Sequence, residues 1–313
     1  MALYIHTYQN TWTGIRLLFC FMLISCTEGS VVYCPASGSG HLSIYPDQST
    51  YTLPSMRYYF YDMSEYSAPL VYPCDGNGNF EGDLPAGIYR VIAVNPDAEY
   101  VSFSGMDRET TAWVTADLAF EASRISVLLA QPGKVYAFNL GAFILSSGDE
   151  LSFEPVPELL LRRVRIRMEL SESLRGHVVG IDGVLCGVYP SVRLFGFEPV
   201  IADLSDIAGS QVRFRATAED ARWVAYLDVF GLCDPDYGRV YENLLDLVLT
   251  LNDGRQANVQ ADLTGQLSDI IKQSGGTIPL TLSLELTIEA DEADFSVSIL
   301  PWDPDGGDDI DLR

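Results

Sequence analysis

Leu280, Leu282, Leu284, Leu286 and Ile288 alternate with Thr281, Ser283, Glu285, Thr287 and Glu289. Only an extended strand puts two such sets on opposite faces, because its side chains repeat every two residues. A helix would scatter the aliphatic set around its circumference. Val164-Arg165-Ile166-Arg167-Met168-Glu169-Leu170 repeats the alternation, with Arg163, Arg165 and Arg167 as a basic stripe on its polar face. That stripe reads first as a solvated sheet face balanced by neighbouring acids, and second as a site for an anion or a partner. A chain written this way is committed to sheets with one dry face.

The remaining segments agree. Met56–Tyr61 is an aromatic strand-like run, Asp75-Gly76-Asn77-Gly78-Asn79 a turn cluster, and Leu84-Pro85-Ala86-Gly87 a turn opening the β-branched run to Val94. Val212–Ala216 and Trp223–Phe230 predict two further strands. Leu245–Leu251 and Gln256–Gln260 flank Asn252-Asp253-Gly254-Arg255, whose Asp-Gly step signals a hairpin. One helix is predicted, with Leu263, Leu267, Ile270 and Ile271 at helical spacing between a capping Asp262 and the stop at Gly275-Gly276. Phe295, Val297 and Ile299 make a final strand. The fold class expected is all-β: two tandem antiparallel β-sandwich domains, with one short helix in the second. The break at Ser146–Glu150 and at Pro155 and Pro157 sets the expected division, with an N-terminal domain over residues 41–147 and a C-terminal one over 148–313.

Residues 1–25 have the order of a secretory signal. Arg16 is their only charge, and the apolar run Leu17–Met22 is too short for a permanent span of roughly 20 residues. The run ends in Leu23-Ile24-Ser25-Cys26, a small residue and then cysteine, as in a bacterial lipobox. Cys26 is therefore the expected lipid attachment site, since only a sulfur nucleophile forms the thioether. Residues 26–40 are small and flexible enough to tether a lipid to the first domain. The alternative is an ordinary signal peptide with a chance cysteine. Localisation follows as a lipid-anchored outer-membrane protein folded outside the cytoplasm. Cys34, Cys74, Cys186 and Cys233 remain, an even number in an oxidising compartment. With a boundary near residue 150, Cys34–Cys74 and Cys186–Cys233 is the economical pairing; unpaired buried thiols are the alternative.

The net charge is −24, and removing Arg16 with the signal makes it one unit more negative. Such a surface argues against nucleic-acid or anionic-lipid partners. Catalytic signals are thin. Beyond residue 25 the only histidines are His41 and His177, neither in H-E-x-x-H, and no serine lies in G-x-S-x-G. No enzyme, cofactor, metal site or small-molecule substrate is expected. Asp303-Pro304-Asp305-Gly306-Gly307-Asp308-Asp309-Ile310-Asp311 offers hard oxygen ligands suited to calcium but lacks the later glutamate of an EF-hand loop. A solvated acidic turn is its plainer reading.

Three stretches then carry a resemblance. Leu84–Asn95 followed by Glu99–Gly105 is one. Ala261-Asp262-Leu263-Thr264 leading into Leu280–Ile288 and ending in Phe295–Ile299 with Trp302 is the second, and the lipobox is the third. In this order they resemble the FimB-type fimbrial anchor and accessory lipoproteins of Bacteroides and its relatives, across most of the chain after Cys26. The resemblance implies transthyretin-like sandwiches, an outer-membrane lipid anchor at Cys26, and fimbrial subunits as partners, joined by β-strand addition. It brings no catalytic residues. The competing expectation is a surface glycan-binding lipoprotein that stacks sugars on Trp113 or Trp223.

Overall fold

The computed structural model describes residues 38–64, 67–119, 127–172, 174–200, 210–220, 222–233, 243–273, 281–290 and 295–300. The expected signal peptide, Cys26, Cys34, most of the tether, Trp302 and the aspartate-rich segment lie outside the described residues. In chain order the strands begin β1 (Ser39–Ile44), β2 (Arg57–Asp62), β3 (Leu70–Pro73), β4 (Phe80–Pro85), β5 (Gly87–Val94), β6 (Val101–Ser104) and β7 (Trp113–Ala116). Next come β8 (Val127–Leu129), β9 (Tyr136–Leu145), β10 (Glu150–Phe153), β11 (Glu158–Leu159), β12 (Arg162–Leu170), β13 (Val178–Cys186), β14 (Ser191–Arg193) and β15 (Pro199–Val200). The series ends with β16 (Ser210–Arg215), β17 (Thr217–Glu219), β18 (Arg222–Val229), β19 (Leu244–Leu251), β20 (Gln256–Asp262), β21 (Thr281–Ala290) and β22 (Phe295–Leu300). Helix α1 (Thr264–Gln273) lies between β20 and β21.

Among the described residues these strands bond in the orders β10-β1-β4, β11-β9-β5-β2-β3, β17-β18-β12-β21-β22, β20-β19-β13-β16-β8 and β15-β14-β7-β6. The expected all-β class of tandem β-sandwiches holds. Its sheets are mostly antiparallel, but β1 with β10, β12 with β21, and β8 with β16 pair in parallel. Each parallel pair joins strands far apart in sequence, as crossovers require, and local patterning carries no trace of that.

Alternation becomes burial where it was expected. Val164, Ile166 and Met168 of β12 are inaccessible to solvent, and they share a core with Ile181 and Leu185 of β13 and with Leu245, Leu247 and Leu249 of β19. Helix α1 adds Ile270 and Leu267 to that core, with Leu263 just ahead of it. The Asp262 carboxylate accepts from Thr264 N at 2.9 Å, and the Thr264 hydrogen bonds hold its pKa below the usual carboxylate range. Between β19 and β20, Asp253 accepts from Arg255 N at 3.0 Å and Gly254 takes φ 83°, so the hairpin forms where the Asp-Gly step placed it.

A second core is aromatic. Tyr58, Phe60, Phe80, Tyr89 and Phe138 pack with Leu42 and Ile44 between β1 and β4 on one side and β2, β5 and β9 on the other. The opposite faces of β2 and β5 are buried too, since Tyr59, Tyr61, Ile92 and Val94 belong to the larger core. Hence Tyr58-Tyr59-Phe60-Tyr61 has no polar break: a strand covered on both faces reads as a continuous apolar run.

Division at residue 148 is a proposal that has to accommodate pairings across it. β1 bonds to β10, β9 to β11, β7 to β14 and β8 to β16. The segment 101–129 thus supplies strands to sheets completed after residue 190.

Candidate functional site at a free sheet edge

A sheet that ends in water presents a row of unpaired backbone donors and acceptors, so the outermost strands are where this fold can meet another chain. Most edges here are blunted. β4 carries Glu81, Asp83 and Pro85, β10 carries Glu150, β11 carries Glu158 and β15 begins at Pro199. β3 is four residues long and stops at Pro73, and β17 is three residues with Glu219. β6 and β8 lack charge and proline but span only four and three residues, whereas β22 runs for six, Phe295-Ser296-Val297-Ser298-Ile299-Leu300, with neither charge nor proline. On its inner side it pairs with β21 from Ala290↔Phe295 to Glu285↔Leu300. On its outer side no strand pairs with it among the described residues. β20, the edge of the facing sheet, lies against β22 and exposes Gln256, Asn258 and Gln260. Two long edges therefore close the same flank of the sandwich, and an extended segment laid beside β22 would satisfy its backbone groups.

Other predicted residues fall as follows. Trp223 packs, half-buried, against the larger core, so it is no open stacking platform; Trp113 is half-buried on β7. His41 Nδ1 lies 2.8 Å from Asp83 Oδ1, and that hydrogen bond raises the imidazole pKa. The basic stripe is partly neutralised: Arg163 gives Asp228 a bidentate pair at 2.8 and 2.7 Å. A cavity of ≈ 420 Å³ opens beside Tyr61, Asp62, Met63 and Glu109. Its buried Glu109 is held through Oε1 by Arg90 Nη1, whose guanidinium lies 5.0 Å from the Phe195 ring centroid.

Cys74, Cys186 and Cys233 are free thiols. Cys74 accepts from Met56 N at 2.8 Å through Sγ, and Cys233 N donates to Gly187 O at 2.7 Å. Burial pushes the Cys186 thiol up to about 11 and the Cys233 thiol to about 12. Reactivity follows the thiolate. Alkylation of the native protein near pH 8, mapped by mass spectrometry, is expected to label half-buried Cys74 well ahead of Cys186 and Cys233. Equal labelling of all three would contradict their burial. The same shifts set an alkaline limit on stability. A raised folded-state pKa contributes fully below the ordinary value of 9.0, and the contribution is lost as pH rises towards 11 and 12.

The fold recurs in solved structures of other proteins. A candidate adhesin from Bacteroides ovatus shares the fold with a TM-score of 0.57 at 16% identity, covering 83% of this chain and 93% of its own. Another candidate adhesin from Bacteroides ovatus aligns with a TM-score of 0.51 at 10% identity, covering 86% and 94%. The fimbrial anchor protein Mfa2 from Porphyromonas gingivalis aligns at 0.49 and 14% identity, covering 86% and 98%. Within this chain, residues 46–194 match the family model described as Domain of unknown function (DUF5119). That match spans residue 148 and ends at Leu194, one residue beyond β14, which pairs with β7. No curated protein matches the sequence.

Proposed function

We propose that this chain is a non-enzymatic, lipid-anchored surface protein that serves as an anchor or accessory subunit of fimbriae and receives a partner subunit along β22. The observation that carries this reading is the outer edge of β22, six residues without charge or proline that no strand pairs among the described residues, beside the edge strand β20. Natural sheets seldom leave such an edge bare unless it is used. The fold shared with the candidate adhesins supports a surface role, and the lipobox ending at Cys26 supplies the means of attachment.

Two measurements test it in the native host. Cys26→Ala is expected to move the protein from the membrane fraction to the medium or to leave it unprocessed, because the apolar run before it is too short to hold a bilayer. Full membrane retention at mature mobility would defeat the anchor. For the edge, Ser298→Cys, treated on intact cells with a short bismaleimide, is expected to cross-link to a fimbrial subunit. Thr217→Cys, on the opposite edge of the same sheet, is expected not to. Cross-linking from Thr217→Cys alone would remove β22 from the interface.

A further inference from the structure

Glu109 opens the short 3₁₀ turn Glu109–Thr111 ahead of β7, yet the residue is only 7% exposed. A buried charge needs partners. One carboxylate oxygen has its own: Oε1 accepts from Arg90 Nη1, and that guanidinium lies 5.0 Å from the Phe195 ring centroid. The other oxygen, Oε2, is buried with no hydrogen-bond partner among the described residues. Hydrogen bonds hold the turn where it is, since Thr111 Oγ1 donates to Gly105 O at 2.9 Å and Thr111 N to Arg108 O at 3.2 Å. A buried acceptor left unmade is costly, so a donor that reaches Oε2 binds with gain.

The cavity that Glu109 lines, ≈ 420 Å³, falls in the size range of small-ligand sites, roughly 300–1,000 Å³. Its wall has two kinds of surface. Tyr61 and Met63 give an apolar side, while Asp62, Asp107 and Glu109 give an acidic one, with Arg108 as the only cation among the described lining residues. Asp62 accepts through Oδ1 from Ser64 N and Oγ at 2.8 and 2.6 Å. The Tyr61 hydroxyl already donates to Met106 O at 3.1 Å, so it leaves Glu109 Oε2 unserved. Burial, Tyr59 and the charges of Glu109 and Asp107 raise the Tyr61 pKa, which places both carboxylates within electrostatic reach of one hydroxyl. Among the described residues no group of three or more His, Cys, Asp or Glu could hold a metal ion. The wall suits a larger cation, with N–H donors for the carboxylates and an aliphatic stem against Tyr61 and Met63.

We infer that this cavity binds an organic cation, a guanidinium or ammonium group on an aliphatic stem, with Glu109 Oε2 as its buried acceptor and Asp107 and Asp62 adding charge at the wall. The site shares no residue with β22, so it is independent of the fimbrial reading.

Isotope-labelled methionine methyls on the full chain put an NMR reporter in the wall at Met63 and fold controls in the two cores at Met56 and Met168. Titration with Nα-acetylarginine amide or with agmatine is expected to shift the Met63 resonance saturably and to leave Met56 and Met168 in place, with a dissociation constant of about 1 mM or tighter. Nα-acetylcitrulline amide, of the same shape without the charge, should bind at least about tenfold more weakly. Tighter binding of the arginine amide than of agmatine would support a polypeptide side chain as the source of the cation, and the reverse order a free amine. Glu109→Gln should weaken the cation about tenfold. Asp107→Asn, at an exposed position that leaves the pair of Arg90 and Glu109 intact, should weaken it about twofold to fivefold. Unmoved Met56 and Met168 resonances report that each variant is folded; should Glu109→Gln fail to fold, Asp107→Asn decides. Equal affinity for the citrulline amide, unchanged affinity in the folded variants, or no Met63 shift well above the expected constant would each overturn the proposal.

Discussion

Phe60→Ala is expected to destabilise the fold by about 3–5 kcal/mol, the cost of emptying a packed aromatic site. Phe60 is inaccessible to solvent, and its ring centroid lies 4.8 Å from that of Phe80, 5.8 Å from Tyr72 and 6.5 Å from Tyr89. Those partners hang from β4, β3 and β5, so neither sheet of the first sandwich can collapse into the void without dragging the other. Denaturant unfolding should show a lower midpoint at unchanged slope. Tyr45→Ala is the control: the residue is 42% exposed, and removing its ring should stay within about 0.5 kcal/mol. Similar costs for the two would mean that the aromatic cluster does not hold this sandwich together.

Gly183→Val should be comparably damaging for the opposite reason, crowding. Gly183 pairs with Phe214 across β13 and β16, and a Cβ built on it would fall 2.2 Å from the Phe214 ring. The ring lies across the glycine as its cover, 4% exposed. A branched side chain must expel it, so the loss approaches that of deleting a buried phenylalanine, about 3–5 kcal/mol. The double variant Gly183→Val with Phe214→Ala should be more stable than additivity allows, because the clash is removed with the ring. Strict additivity in thermal or denaturant unfolding would show that the close approach is not the cause.

Gly183 also marks where sequence reading stops. The strands that alternate without interruption, β12, β19 and β21, are visible from residue type alone, as are the Asp-Gly hairpin and the cap of α1. Strand β13 is not: Gly180 and Gly183 interrupt Val178–Cys186, and a lone sequence gives no reason to read them as strand. The reason sits on β16, in Phe214. Likewise the aromatic run in β2 announces a strand but not that both its faces are covered.

The candidate site divides in the same way. Phe295, Val297 and Ile299 are legible as one face of a strand; that β22 is an edge, with β20 beside it, is a matter of sheet order. The arginine row is legible as alternation, whereas the pairing of Arg163 with Asp228 and of Arg165 with the Tyr226 ring depends on what β18 places opposite them.

The sequence by itself determined that this chain is all-β, which face of each regular strand is dry, where its clearest hairpin turns, and where its helix starts. Those are properties of period, turn chemistry and capping, all settled within a few residues. Tertiary structure alone decided the parallel pairings, the strands from 101–129 that complete sheets far along the chain, the need for glycine at 183, and which strands end the sheets among the described residues. Each of these depends on residues distant in sequence meeting in space, and the alternation that specifies a strand is blind to the strand beside it.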